Sequence, residues 1–316
     1  MPTTHRIEPD IANLHGKISR DLKPILTIEP GDSISAKTLC YRWGFAPPLT
    51  PGTLPQIIPL DERKDPENDG DMALDGPIFV KGAKPGMTLE VSIDELQVGS
   101  YGVVSTDTSE RNRRLGIEDG FAVTSWEFDR SRGIAISNTG FSVKLNPFLG
   151  WLGVAPAEPG YHSNHSGRRI GGNLDCKELV AGAKLYLPIE VEGALFSFGD
   201  GHAAQGDGEI CDTAIECPMD VCRLTLNLRD DMPLEWPIAR LPGAWMTLGF
   251  HEDLTEAMFI ATNGMLDLMV QKLGVSRKDA YMLASQVVDL RITQIVNPTY
   301  GVHAVWADDT LVLNGK

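Results

Sequence analysis

Met87-Thr88-Leu89-Glu90-Val91-Ser92-Ile93-Asp94 alternates apolar and polar residues without a break. A β-strand sends successive side chains to opposite faces, so this octet reads as a half-buried strand with one face on a core and one in water. Just upstream, Pro85-Gly86 supplies a turn, and 77–98 as a whole reads strand, turn, strand. The same grammar extends outward. Ile25–Ile28 and Ile34–Tyr41 read as short strands around Glu29-Pro30-Gly31-Asp32. Residues 121–145 repeat the pattern more weakly, and 184–198 and 209–228 read as further strands. Residues 146–173 are dense in Gly and Pro and read as site-carrying loops on this scaffold.

The pattern changes at His251. From Glu252 to Leu273, apolar residues recur at Leu254, Met258, Ala261, Met265, Leu268 and Met269, which is helical spacing. Gly274 is a natural stop, and Ser276 with Asp279 three residues on opens a second helix. That helix is expected to run to about Ser285 or Val288, with a short strand from Asp289 to Val296 after it. Strands do not alternate with helices, which excludes a doubly wound sheet. The expected fold is mainly β, in sandwich-like layers of short strands with a C-terminal helical pair, α+β overall. One domain is expected over 1–316, with two lobes at 1–145 and 146–316 as its only natural division.

Composition narrows the function classes. The 316 residues are 42% hydrophobic and 22% charged, an ordinary globular balance. Lys and Arg number 28 against 43 Asp and Glu, a net charge of −15 that repels nucleic acid and anionic lipid. No apolar run reaches the roughly 18 residues of a membrane span, and the first residues lead into no signal-peptide core. The five cysteines form no CxxC pair, so neither a disulfide framework nor a thiolate zinc site is expected and a reducing cytoplasm is.

Chemistry concentrates in Gly199-Asp200-Gly201-His202-Ala203-Ala204-Gln205-Gly206-Asp207-Gly208-Glu209. Asp200 and His202 are two apart, so an extended backbone would turn both to one face and onto one ion. Carboxylate with imidazole suits zinc or another first-row divalent metal. Asp207 and Glu209 repeat the spacing. A second cluster, Gly171-Gly172-Asn173-Leu174-Asp175, offers an amide for an oxyanion and another carboxylate for a metal. His15 and Cys176 are weaker candidates. The acidic stretch 61–76 resembles a calcium loop only loosely, because Gly76 stands where the last carboxylate belongs, and it reads as a solvated surface loop. No Gly-x-Ser-x-Gly elbow is present, and the Gly-rich stretch does not follow the dinucleotide pattern.

The run Leu185–Ile189, Gly193–Glu209 and Thr213–Glu216 resembles the acetamidase/formamidase family. So do Gly76-Pro77-Ile78 with Gly82-Ala83 and Pro85-Gly86, Pro147–Gly150 with Gly153–Pro156, Gly171–Asp175, and Tyr281–Ser285. The resemblance implies a β-rich fold, oligomerisation, a bound divalent metal and hydrolysis of short aliphatic amides to ammonia and a carboxylate. It is loose at 61–75 and 100–118, which bears on the substrate.

The expected mechanism is metal-assisted hydrolysis of a small neutral amide, with no organic cofactor and with zinc rather than calcium at the catalytic position. Asp200, His202 and Asp175 would hold the metal. Glu209 or Asp207 would move the proton, and Asn173 with glycine N–H groups would steady the oxyanion. Gly171, Gly172 and Gln205 would contact substrate in a cytoplasmic homodimer or higher homo-oligomer. Two other readings stay open: a non-catalytic β protein holding calcium and a small ligand, and a thiol amidase using Cys176.

Overall fold

The computed structural model describes residues 2–118 and 120–312, so residues 313–316 of the tail lie outside the described residues. Most of its regular structure is short β-strand. One sheet runs Thr4–Ile7, Ser33–Thr38, Met219–Arg229, Thr88–Val98, Lys184–Pro188, Ile238–Leu241, Ala244–His251, Tyr300–Ala307, Val288–Gln294. A second runs Gly167–Arg168, Gly171–Asn173, Phe148–Gly153, Phe196–His202, Leu74–Val80, Leu14–His15, with Leu26–Ile28 added parallel to Leu74–Val80. A smaller antiparallel sheet joins Tyr101–Thr106, Ala122–Asp129, Ile134–Ser137 and Ser142–Lys144. Both large sheets draw strands from both halves of the chain. The mainly β, layered architecture with a C-terminal helical pair is the one expected.

The alternation of the opening octet accounts for the packing. Leu89, Val91 and Ile93 join Leu185, Leu187, Leu224 and Leu226 in a core shared with Leu74, Ile78, Phe196 and Phe198 of the second sheet. Each such side chain contributes about 1.5–3 kcal/mol by leaving water. The opposite face is not wet throughout, because Thr88 and Glu90 are also buried. Tyr186 and Ile238 on that face belong instead to a second core beneath the C-terminal helices. Glu90 is buried beneath partners that reach solvent, accepting from Lys184 Nζ at 2.8 Å and Arg229 Nη1 at 3.2 Å.

The helices are Leu254–Leu273 and Arg277–Val287, followed by the strand Val288–Gln294. Asp253 caps the first by accepting from the N–H groups of Thr255 and Glu256, and Gly274 closes it in a left-handed conformation. Ser276 accepts from Asp279 N–H at 3.1 Å at the start of the second. Ala257, Ala261, Met265 and Met269 press onto Val302, Ala304 and Trp306.

The strands read around turns are present, and the turns carry the chain between sheets: Leu26–Ile28 and Ser33–Thr38 lie in different large sheets, as do Leu74–Val80 and Thr88–Val98. Two local readings differ from the structure. The turn-rich stretch 146–173 contains Phe148–Gly153, a wholly buried strand at the middle of the second sheet. The acidic stretch 61–76 is not simply solvated. Asp69 is buried and accepts from Gly16 N–H at 2.8 Å and Asp65 N–H at 3.1 Å, and Asp75 is fully buried.

Candidate functional site

Asp200 and His202 occupy the last turns of pleat in Phe196–His202 rather than a loop. Asp200 takes a left-handed backbone, φ 58°, which swings its carboxylate to the side where His202 points. His202 Nε2 lies 3.5 Å from Asp200 Oδ2 and 3.1 Å from Glu216 Oε2. The Phe148 ring meets the imidazole edge-on at 4.9 Å between centroids and fixes its plane. Asp175 follows Gly171–Asn173 with φ 46°, and Glu209 also has φ 46°. Three non-glycine acidic residues in this sparsely populated region, around one point, mark a site that the surrounding fold over-determines.

These groups share the floor of a cavity of about 320 Å³. Asp175, Asp200, His202, Glu209 and Glu216 are each no more than 6% exposed. Glycine is required at position 150 behind them. A Cβ there would fall 2.6 Å from Asp200 Oδ2, 2.7 Å from His202 Cε1 and 2.8 Å from Asp175 Oδ1. The empty Cα lets the carboxylates and the imidazole close on one another.

Burying four carboxyls beside one imidazole is electrostatically costly. Burial pushes Asp175 up to about 8, opposed by His202 and reinforced by Asp200. Burial and Asp175 drive Glu209 well above the usual carboxylate range. Burial raises Glu216 too, against the pull of His202. Burial disfavours charge on His202, but Glu216 and Asp200 outweigh it and hold the imidazole well above its ordinary value. Asn173 Oδ1, His202 Nδ1, Glu209 Oε2 and Glu216 Oε2 are buried without a hydrogen-bond partner. Buried polar atoms are nearly always paired, so four atoms without a protein partner around one cavity are free to bind a ligand there. The donors fit a divalent cation: Asp175, Asp200 and His202 have ligand atoms within 4.8 Å of one another, and so do His202, Glu209 and Glu216. Carboxylate oxygen with one imidazole nitrogen suits zinc or a neighbouring first-row ion.

Residues 160–238 match the model of the Acetamidase/Formamidase family. The fold superposes on the crystal structure of an acetamidase from Bacillus halodurans with a TM-score of 0.83 at 27% identity, covering 96% of this chain and 97% of that one. An acetamidase from Yersinia enterocolitica gives 0.85 at 27% identity, covering 99% and 94%. The chain is thus similar to the acetamidase/formamidase family, in sequence over 160–238 and in fold over nearly its whole length. It is also 24% identical over 250 residues to the formamidase of Methylophilus methylotrophus, spanning 62% of this chain and 59% of that protein.

The structure brings together Asp175, Asp200, His202, Glu209 and Asn173, all of which line the cavity. Other sequence candidates lie apart from it. Asp207 is 39% exposed at its side chain and pairs with Lys177 at 2.6 Å. His15 is buried elsewhere between Lys17 O and Ser197 Oγ. Gly171 and Gly172 serve the pairing with Phe148–Gly153, and Gln205 donates to the backbone oxygen of Asp175 at 2.6 Å. Cys176 is fully buried beside Glu178 and Met246 and does not line the cavity.

Sequence reasoning missed Glu216 and Asn297. Glu216 is held by bridges to Val103 and His202 and by Ala214 N–H, which donates to its Oε1 at 2.9 Å. Its signal was a single acid inside the apolar run Ala214-Ile215-Glu216-Cys217. Asn297 donates to Asp175 Oδ2 at 2.7 Å, and nothing in Val296-Asn297-Pro298 distinguishes it from an ordinary turn asparagine. Tyr41 and Arg42 also line the cavity, with Arg42 at φ 54°.

Proposed function

We propose that this protein is an amidase that hydrolyses short aliphatic amides, of the formamide or acetamide kind, to ammonia and the carboxylate. Similarity to the acetamidase/formamidase family supports the reaction class. The observation that carries the placement of the chemistry is the convergence of five buried acid and imidazole groups, with four unpaired polar atoms, on one cavity. Relatives named as acetamidase and formamidase support the substrate class.

Asp175, Asp200 and His202 would hold a divalent metal, zinc in this reading. Bound there, it would supply Lewis acidity to the amide carbonyl and make a neighbouring water more acidic. Asn297 keeps Asp175 turned inward, and Phe148 keeps the imidazole in plane. Asn173 presents its amide to the carbonyl oxygen as negative charge develops there. Glu209 accepts a proton from the attacking water and passes it to the amide nitrogen, so that the C–N bond breaks with neutral ammonia leaving. Glu216, beside His202, shares the buried charge through the step. Asp207, ion-paired at the surface, has no part in it.

We also propose a homo-oligomer working in the cytoplasm. Tyr281, Met282, Leu290 and Ile292 are exposed apolar residues next to the open edge strand Val288–Gln294, which favours self-association. Among the described residues no helix is long and apolar enough to cross a membrane.

The decisive assay follows ammonia release from formamide and acetamide by the purified chain. It is repeated after chelation, after add-back of zinc, and with Asp200→Asn. Turnover that disappears on chelation, returns with zinc and is lost in the variant is expected. Turnover that persists in metal-stripped protein or in Asp200→Asn overturns this assignment of roles. No turnover of either amide by the metal-loaded protein overturns the proposed activity.

A further inference from the structure

Beginning at the residue after Asp175, and outside the lining of the cavity, lies a second convergence of ligand-type groups that the proposed reaction does not use. We infer that Cys176, Glu178 and His303 form a separate binding site for a thiophilic divalent ion of the zinc class.

The three side chains come from distant parts of the chain. Cys176 and Glu178 sit in the loop after Gly171–Asn173, and His303 is on the strand Tyr300–Ala307. Cys176 Sγ is 3.4 Å from Glu178 Oε2, and His303 Nε2 is 3.5 Å from the same oxygen. The three ligand atoms all lie within 4.8 Å of one another. Ligands about 2.0–2.3 Å from a tetrahedral zinc stand about 3.3–3.7 Å apart, so two of these separations already match a shared ion.

An independent observation comes from His303. It is completely buried, and its Nε2 has no hydrogen-bond partner. Its other nitrogen, Nδ1, is hydrogen-bonded to Thr293 Oγ1 at 2.8 Å. Thr293 is itself buried and lies where the pairing of its strand with Tyr300–Ala307 slips register, which turns its hydroxyl toward the ring. A histidine tethered through one nitrogen and open at the other is the arrangement of a metal-ligating imidazole with its orienting partner. An ordinary Glu–His pair would close the gap and satisfy Nε2, and this one does not.

The chemistry selects the ion. Thiolate and imidazole favour zinc over calcium or magnesium. Binding displaces the Cys176 thiol proton to solvent, and one thiolate with one carboxylate then neutralises the two positive charges. Glu178 reaches the surface, with a side chain 13% exposed that pairs with Lys177 and Arg291 within 4 Å. The ion would tie the loop after Asp175 to the C-terminal strands. Gly208 N–H, beside Glu209, donates to Thr293 O at 3.1 Å, so both walls of the cavity connect to this clamp.

Cobalt distinguishes the two sites, because this one offers a cysteine thiolate and the described lining of the cavity includes no cysteine. The full chain is stripped with a chelator and titrated with Co²⁺ while near-ultraviolet absorption is followed. A thiolate-to-cobalt charge-transfer band is expected to rise to one equivalent of sulfur-ligated metal. It should be absent in Cys176→Ser and retained in Asp200→Asn. His303→Gln should abolish the band or weaken cobalt binding at least tenfold, and this second variant serves if Cys176→Ser does not fold. Thr293→Val should weaken binding by roughly 10–100-fold. No band with cobalt in excess, or a band that survives Cys176→Ser, overturns the site whatever the amidase assay shows.

Discussion

The floor of the cavity and the C-terminal helical layer obey opposite rules. In the helical layer every local preference agrees with the fold. Both helices are capped at the start, the first ends on a left-handed glycine, and the apolar face of Leu254–Leu273 is the buried one. At the cavity floor three acidic residues hold left-handed backbones, five ionisable groups are buried together and four polar atoms lack partners. The fold tolerates this because the strands beneath the floor, Phe148–Gly153 and Phe196–His202, are central and wholly buried, and the second of them carries Asp200. Local inconsistency held in place by a consistent scaffold is what separates a site from its support.

Substitutions should therefore separate activity from stability in opposite directions in the two regions. The largest effect is expected for Glu209→Gln, which keeps the shape and removes the proton carrier, and kcat should fall by roughly 10²–10⁴-fold. Thermal stability should hold or rise, because a buried carboxyl with an unpaired oxygen is replaced by a neutral amide. A variant that kept its rate would remove Glu209 from the chemistry. Gly150→Ala should act in the same direction by a different route. Its methyl group would press on Asp200, His202 and Asp175, so bound metal, read by elemental analysis, should fall together with turnover.

In the helical layer Met269→Ala should do the reverse. Met269 is fully buried in the second core, and its loss should cost about 2–5 kcal/mol of unfolding free energy in a denaturant titration. The kcat of the molecules that remain folded should not change. A drop in kcat at full folding would mean that the two regions are coupled, and the contrast between them would fail.

The same contrast explains what could be read in advance. Helix positions were legible because Gly274, Ser276 and the apolar spacing are local signals, and the structure ends and starts helices at those points. The alternation in 87–94 likewise placed Leu89, Val91 and Ile93 on the core. The strand Phe148–Gly153 was hidden because Gly150 and Gly153 read as turn residues, whereas Gly150 serves close approach of the site's side chains. Strand partners were not legible either, since a Pro-Gly turn has the same sequence whether it closes a hairpin or carries the chain to another sheet. Asp200 and His202 showed themselves through spacing. Glu216 and Asn297 reach the site only through pairing with Val103 and through Asp175, contacts of long sequence separation that no local pattern encodes.

The smallest expected effect tests whether the helical layer is as locally determined as its sequence suggests. Ser276 Oγ accepts from Asp279 N–H at 3.1 Å and also donates to Asp279 Oδ2 at 2.6 Å, closing the first turn of Arg277–Val287. That helix is only 11 residues long, too short to persist on propensity alone, so its cap and its packing must both hold it. Ser276→Ala should cost about 0.5–2 kcal/mol in the same titration, less than Met269→Ala, with turnover unchanged. Amide exchange should quicken first in residues 277–281, the turn the hydroxyl closes, and leave Leu254–Leu273 protected. Exchange that quickened equally along both helices would show the pair unfolding as one unit, with the tertiary contacts of Ala280 and Ala284 outweighing the local signal at Ser276.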